Sequence, residues 1–266
     1  MSFSADWLML REPYDLAARN SKVLDAVAAA LGDRSSVGIV DLACGTGSTL
    51  RALSPRIAGR QNWRLVDNDL SLLARAAASS YSRAIVSAVP VDLARDLEAA
   101  LDGPLDLITT SALLDLVSDE WLQRLAVEAA ARRLPVYAAL SYDGRIGFAP
   151  ADPFDDAIVA AVNAHQRRDK GFGPALGPTA ADAAVARFKA VGYEVVYGVA
   201  DWRFGPDDRA IQNETLSGWA TAARETGMPL ADVAAWLTRR RDFVAAGRST
   251  IEVGHLDVFA RPTGTR

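Results

Sequence analysis

Asp41, Gly45, Gly47, Asp67 and Asp92 are the residues whose types and spacing could do chemistry together. Asp41 ends an apolar run in IVDLACGTG, and Gly45, Thr46 and Gly47 crowd the turn behind it. Glycine there costs conformational freedom, so the pattern points to a backbone that must lie bare and close to a ligand. Where a strand runs into a helix, the first N–H groups of the helix point out of the strand's carboxyl end, toward any nucleotide-like cofactor bound there. Asp67 closes the next apolar run, WRLVD, and its two oxygens suit the two adjacent hydroxyls of a ribose. Asp92, in VPVDLA after a third apolar run, would meet the edge of an adenine. Each acid also has a plainer use as a cap for the helix that follows it.

These residues need strands and helices in alternation to hold them. Val37–Leu42, Trp63–Val66, Ala84–Val89, Leu105–Thr110 and Pro135–Leu140 read as short buried strands. Helices are expected over Ser48–Ile57, Leu70–Ala78, Ala94–Leu101 and Asp119–Arg133. At the start, Ser4–Arg11 reads as a short separate piece, with Pro13 in the first turn of a following helix. Leu16, Val23, Leu24, Val27 and Leu31 share one face of that helix, and Gly32 stops it. After Ser141 the rhythm breaks: Tyr142–Pro178 is rich in Gly and Pro around one helix, Ala157–Gln166. A helix over Ala180–Val191, a strand over Tyr193–Ala200, a helical insertion over Asp207–Arg248 and a late strand over Thr250–Phe259 complete the chain. The alternation implies right-handed crossovers and a mostly parallel α/β sheet covered on both faces.

A dinucleotide-binding turn wants G-x-G-x-x-G, but Leu50 stands at the third glycine. Asp41 would also face a pyrophosphate unfavourably and suits a ligand with a positively charged amino group. An NAD(P)-dependent oxidoreductase is therefore the weaker reading. IVDLACGTG, WRLVDNDLSLL, PVDL and LDLITTSALLDLV together resemble the motifs of the class I S-adenosylmethionine-dependent methyltransferases. Ala43 stands in place of the usual first glycine of the first motif. The resemblance implies a Rossmann-like, seven-stranded sheet whose last strand is antiparallel, with helical insertions after strand five and before the last strand. It also implies S-adenosyl-L-methionine as cofactor and S-adenosyl-L-homocysteine as product. Ala43, Gly45, Thr46 and Gly47 would form the turn against the cofactor, with Asp67 on its ribose and Asn68 beside its adenine. Asp92 would meet the adenine amino group and Leu93 would add a backbone contact. Ser111 and Ala112 would lie along the methionine part, whose carboxylate Arg11 or Arg19 could bind. The chain then divides into cap helices (1–36), a cofactor core (37–141) and two insertions (142–178 and 207–248) forming a substrate cap on one domain spanning 1–266.

Methyl transfer from a sulfonium is an in-line displacement in which the protein mainly positions the acceptor, adding a general base only if the acceptor arrives protonated. Candidates must leave the carboxyl ends of strands four and five: Asp115, Tyr142 and Asp143. His165, one of two histidines, could serve as base near neutral pH or simply face solvent at a helix end. The run Arg167–Lys170 reads as a solvated helix end or a receiver of an acidic substrate, and GFGPALGP as an entrance loop. Trp202, Phe204, Trp219 and Trp236 read as local core that could also line an apolar pocket, and Arg239–Arg241 as exposed. A catechol-type metal cluster and the Asn-Pro-Pro-aromatic motif of nucleic-acid amino methylation are both missing from the sequence.

Composition narrows the partners. With 29 basic and 33 acidic side chains the formal net charge is −4, which argues against tight non-specific nucleic-acid binding. A single cysteine, Cys44, leaves no internal disulfide to form. Neither a signal-peptide start nor a bilayer-length apolar run is visible, so the expectation is a cytoplasmic protein with a small-molecule acceptor and no nucleic-acid or membrane partner. The helical insertion before the last strand could pair two copies into a homodimer or roof the pocket. A non-catalytic S-adenosylmethionine-binding protein would carry the same motifs, with its acceptor pocket blocked or absent.

Overall fold

The computed structural model describes residues 3–78 and 83–264, so the outermost ends of the expected 1–266 unit lie outside the described residues. Eight strands form one sheet: β1 (Ser36–Leu42), β2 (Arg60–Asp67), β3 (Ala84–Pro90), β4 (Leu107–Ser111), β5 (Val136–Ala149), β6 (Tyr193–Val199), β7 (Trp202–Phe204) and β8 (Thr250–Pro262). Their order is β3-β2-β1-β4-β5-β8-β6, with β7 pairing β8 off the path. β1 to β5 pair in parallel, and β8 runs antiparallel to both β5 and β6. The seven expected strands are thus present, the last is antiparallel as expected, and β7 is an addition.

The pleat of β1 explains how both faces are covered. Val40 and Leu42 pack into a core shared with α5 (Leu97–Ala100), α6 (Asp119–Arg132) and α8 (Ala180–Ala190). Val37 and Ile39, pointing the other way, join a second core with α2 (Ser21–Leu31), α3 (Ser48–Leu53) and α4 (Leu70–Ala77). Gly38 between them is required by a close approach, because a Cβ there would sit 2.6 Å from the Pro104 carbonyl oxygen. A third core, built on Trp202, Phe204, Ile211 and Trp236, joins the upper ends of β5, β7 and β8 to α7 (Asp155–Gln166), α9 (Arg209–Glu225) and α10 (Leu230–Ala245).

Several sequence expectations need correction. α1 runs unbroken over Ala5–Ala18, capped by the Ser4 hydroxyl, so Pro13 lies inside it and not in a first turn. The chain breaks after Arg19, and Asn20 caps α2; Leu16 is therefore on a different helix from Val23, Leu24, Val27 and Leu31 and stays exposed. The helix expected over Ala94–Leu101 is reduced to Leu97–Ala100, because Asp92 holds the preceding turn by accepting from the Ala94 N–H. β5 does not end at Leu140. It continues to Ala149 through two register shifts, and the first leaves Leu140 in the left-handed region at φ +54°. The buried Asp257 carboxylate accepts the Leu140 N–H at 2.8 Å, so the break in the ladder has a built partner. Arg240, expected exposed, is fully buried: its Nε donates to Asp155 Oδ1 at 2.9 Å, beside the Trp236 indole N–H on the same oxygen.

Candidate active site

The order β3-β2-β1-β4 reverses direction between β1 and β4, which places the crevice of the sheet above their carboxyl ends. A pocket of about 290 Å³ lies there. The turn between β1 and α3 forms its floor, with Ala43 (φ +53°), Gly45 (φ +53°) and Gly47 (φ +85°) all left-handed. Gly45 has a second reason to be glycine: a Cβ would come within 3.1 Å of Leu8 Cδ1, so α1 can close down on the turn only because that side chain is missing. Glu12 of α1 is ion-paired to Arg51 of α3, whose Nη1 also donates to the Thr46 carbonyl at 2.7 Å.

Asp67 holds the turn from beneath. Its Oδ2 accepts the Gly45 N–H at 2.9 Å and its Oδ1 the Asp69 N–H at 3.0 Å, leaving each oxygen further lone-pair capacity toward the pocket. Asp69, not Asp67, caps α4. Asn68, Asp92, Leu93, Ser111 and Ala112 complete the wall with Ala43, Thr46 and Arg11. Three residues expected at the ligand stand apart from this lining. Gly47 turns the backbone under the floor. Asp41 is fully buried, accepts the Thr109 hydroxyl at 2.8 Å and is pushed up to about 6 by desolvation, against the pull of Thr109 and Arg19. Arg19 is enclosed behind the wall and donates to Tyr137 Oη (3.2 Å) and to Ser111 Oγ (3.4 Å). Its reach toward the pocket is through Ser111. The Cys44 thiol is buried and pushed upward by desolvation and by Asp41, which makes it inert packing.

This strand order is the deciding feature. The chain has the class I methyltransferase fold. No protein-family model and no curated protein matches it. Among solved structures it is similar to a cyclopropane-fatty-acyl-phospholipid synthase-like protein from Lactobacillus casei ATCC 334, at 12% identity and a TM-score of 0.51, over 94% of this chain and 98% of that one. A candidate methyltransferase from Bacillus halodurans C-125 matches at 14% identity and a TM-score of 0.50, over 91% of this chain and 100% of that one.

In this methyltransferase fold the first pocket opens into a second, of about 550 Å³, and Phe3, Arg11, Ala112 and Leu116 line both. Tyr142 and His165, the two expected catalytic candidates, both line the second pocket. Tyr142 donates its hydroxyl to Asn163 Oδ1 at 2.7 Å, and burial, with Asp143 and Asp115 nearby, pushes its pKa up, so it stays a neutral donor. His165 is only 13% exposed, not solvent-facing: Nε2 lies 2.8 Å from Glu225 Oε2 and Nδ1 lies 3.3 Å from Lys170 Nζ. An ammonium can only donate, so Nδ1 accepts and Nε2–H faces the carboxylate. The run Arg167–Lys170 accordingly splits: Arg167 and Arg168 are on the outside, whereas Lys170 turns inward and lines the first pocket with Gly171 and Phe172.

Sequence reasoning passed over His255 and undervalued Asp115. His255 is buried in β8, donates Nδ1–H to the Val253 carbonyl at 3.0 Å and is pushed down to about 3 by desolvation and by Arg11. It is a neutral ring whose Nε2 keeps its lone pair. Asp115 follows β4 and lines the second pocket, and its Oδ1 has no hydrogen-bond partner among the described residues. Burial pushes it up to about 6, countered by backbone N–H groups and by the charges of Arg11 and Lys170. His255 carried a weak signal, a titratable ring in the apolar run IEVGHLDVFA. No helix of the described residues is long and apolar enough to cross a membrane.

Proposed function

We propose that the chain is an S-adenosylmethionine-dependent methyltransferase acting on a nitrogen or oxygen of a small-molecule acceptor. The observation that carries this reading is the pair of joined pockets, one at the switch point of the sheet and one beyond it under α7 and α9. The first fits the cofactor by its donor set. Asp67 keeps lone pairs for ribose hydroxyls, Asp92 is half-exposed at the far end, and Arg11 offers a cation where Ser111 and Ala112 would flank the methionine part. When bound, S-adenosylmethionine supplies a methyl group already activated by its sulfonium. The chain's own task is to aim an acceptor lone pair through the junction, exclude water with α1 and the 171–178 loop, and take up any proton the acceptor brings.

The open second pocket favours turnover over a purely ligand-sensing role, which calls for a blocked one. Leu50 is fully buried in the core behind the turn, where a dinucleotide-binding turn would carry its third glycine, and this weighs against NAD(P). Calorimetric titration of cofactor-stripped protein tests the reading. Micromolar binding of S-adenosylmethionine and S-adenosylhomocysteine without NAD binding is expected; NAD binding alone would overturn it.

A further inference from the structure

The second pocket has a chemical bias of its own. Asp115 is 5% exposed, its Oδ1 is buried without a hydrogen-bond partner among the described residues, and it lines the second pocket next to Leu116, which lines both. A buried carboxylate oxygen left unpaired costs free energy that a bound N–H donor would recover. Two further carboxylates, Glu214 and Glu225, line the same pocket from the exposed side of α9. Glu214 has no ion-pair partner among the described residues. The pocket's arginine is partly neutralised: Arg11 Nε is paired to Asp15 at 2.9 Å and its guanidinium lies over the Trp202 ring at 5.2 Å. Trp7 and Trp219 supply two more indole rings, the side chains most favourable to a cation.

We infer that the acceptor is a cationic amine, its ammonium drawn in by Glu214 and Glu225, held among the indole rings, and hydrogen-bonded to Asp115, which acts as its proton acceptor. This deepens the methyltransferase reading and rests on it. One proton passes from the ammonium nitrogen to Asp115, which becomes the neutral acid. The lone pair left on nitrogen forms the bond to the donated methyl carbon, and the electron pair of the broken carbon–sulfur bond stays with sulfur. An alcohol can donate a hydrogen bond to Asp115 but brings no charge to it or to the acidic rim, and a carboxylate would be repelled by both. The groups facing Asp115 are Arg11 from α1, Lys170 from the loop after α7 and Tyr142 from β5.

The test uses the full chain saturated with S-adenosylhomocysteine, titrated calorimetrically with phenethylamine, 2-phenylethanol and 3-phenylpropionate. The amine is expected to bind at least tenfold more tightly than either isostere. Asp115→Asn should lose most of that preference while keeping its S-adenosylhomocysteine affinity within twofold, which also reports a folded protein. Glu214→Gln, an exposed change that leaves the core untouched, should weaken the amine several-fold and the alcohol not at all. Equal or absent binding of the three probes, with S-adenosylhomocysteine still bound, overturns the amine assignment and leaves the methyltransferase reading standing. Failure to bind S-adenosylhomocysteine overturns both.

Discussion

Asp67 works in two directions at once, and that sets what its loss should cost. It fixes the turn through the Gly45 N–H and faces the first pocket with its remaining lone pairs. Asp67→Ala should weaken S-adenosylhomocysteine binding by about 1–3 kcal/mol, the penalty for unpaired hydroxyls and a freed turn amide, as read by calorimetry. An affinity within a factor of two of the unmodified protein would show that the ribose goes elsewhere. Arg19 makes the opposite case. It shares an enclosed space with Asp41 and Asp257, both of which feel its charge. Arg19→Ala should lower the unfolding free energy in urea by about 3–5 kcal/mol, because it leaves buried carboxylates without a counter-charge. Lost ligand affinity at unchanged stability would instead place Arg19 on the pocket wall. Acids closing apolar runs are a local pattern, so Asp41, Asp67 and Asp92 were legible in the sequence. Whether a side chain lies on the wall or behind it depends on neighbours such as Thr109, Ser111 and Tyr137, far away along the chain, and that was not.

At the scale of elements, α1 is what covers the first pocket. It covers the turn through Leu8, is tied to α3 by Glu12 and Arg51, and reaches β7 where the Trp202 indole N–H donates to Asp15 at 2.9 Å. The Glu12–Arg51 pair is partly exposed, so it contributes about 1 kcal/mol or less to overall stability. Its larger effect should be on closure: Arg51→Ala is expected to speed S-adenosylhomocysteine release several-fold in stopped-flow measurements, with urea unfolding shifted by less than about 1 kcal/mol. Unchanged release would mean that α1 is fixed by other contacts. The strand–helix rhythm from β1 to β5 was readable because each strand is a short apolar run. The continuation of β5 was not, since GRIGFA begins inside the second register shift, with a glycine and an arginine, and is held from Ile146 onward by pairing with β8, a strand far along the chain. Pro13 misleads for a related reason: a proline mid-helix looks like a start until Ser4 is seen capping the helix well before it.

The whole molecule should show an unusual balance as the pH falls. His255 is held down at about 3 in the fold, against 6.5 as its ordinary value, so the unfolded chain takes up a proton first and stability is lost as pH drops below about 6.5. Asp41 and Asp115 are held up at about 6, against 3.8, so the folded state takes up protons first and stability is gained as pH falls through 6 toward 4. Asp257, also raised by burial, acts in the same sense. Each pH step of one over which only one of the two states holds a given proton is worth about 1.4 kcal/mol. Between about pH 7 and pH 5 the histidine therefore costs about 2 kcal/mol and the two aspartates return about 3 kcal/mol. Because Asp257 adds to the aspartate side, urea unfolding of the unmodified protein should show no net loss of stability over that range. Below about pH 4 the compensation ends, because Asp152 and Asp201, held low by Arg239 and Arg145, begin to lose their ion pairs. His255→Asn keeps a side-chain N–H for Val253 but cannot take up a proton, so it should expose the aspartate contribution alone. Its stability is expected to rise by about 2–3 kcal/mol from about pH 7 to pH 5. A variant whose pH dependence parallels that of the unmodified chain would show that His255 is not held neutral, and that the second pocket is wetter than its burial implies.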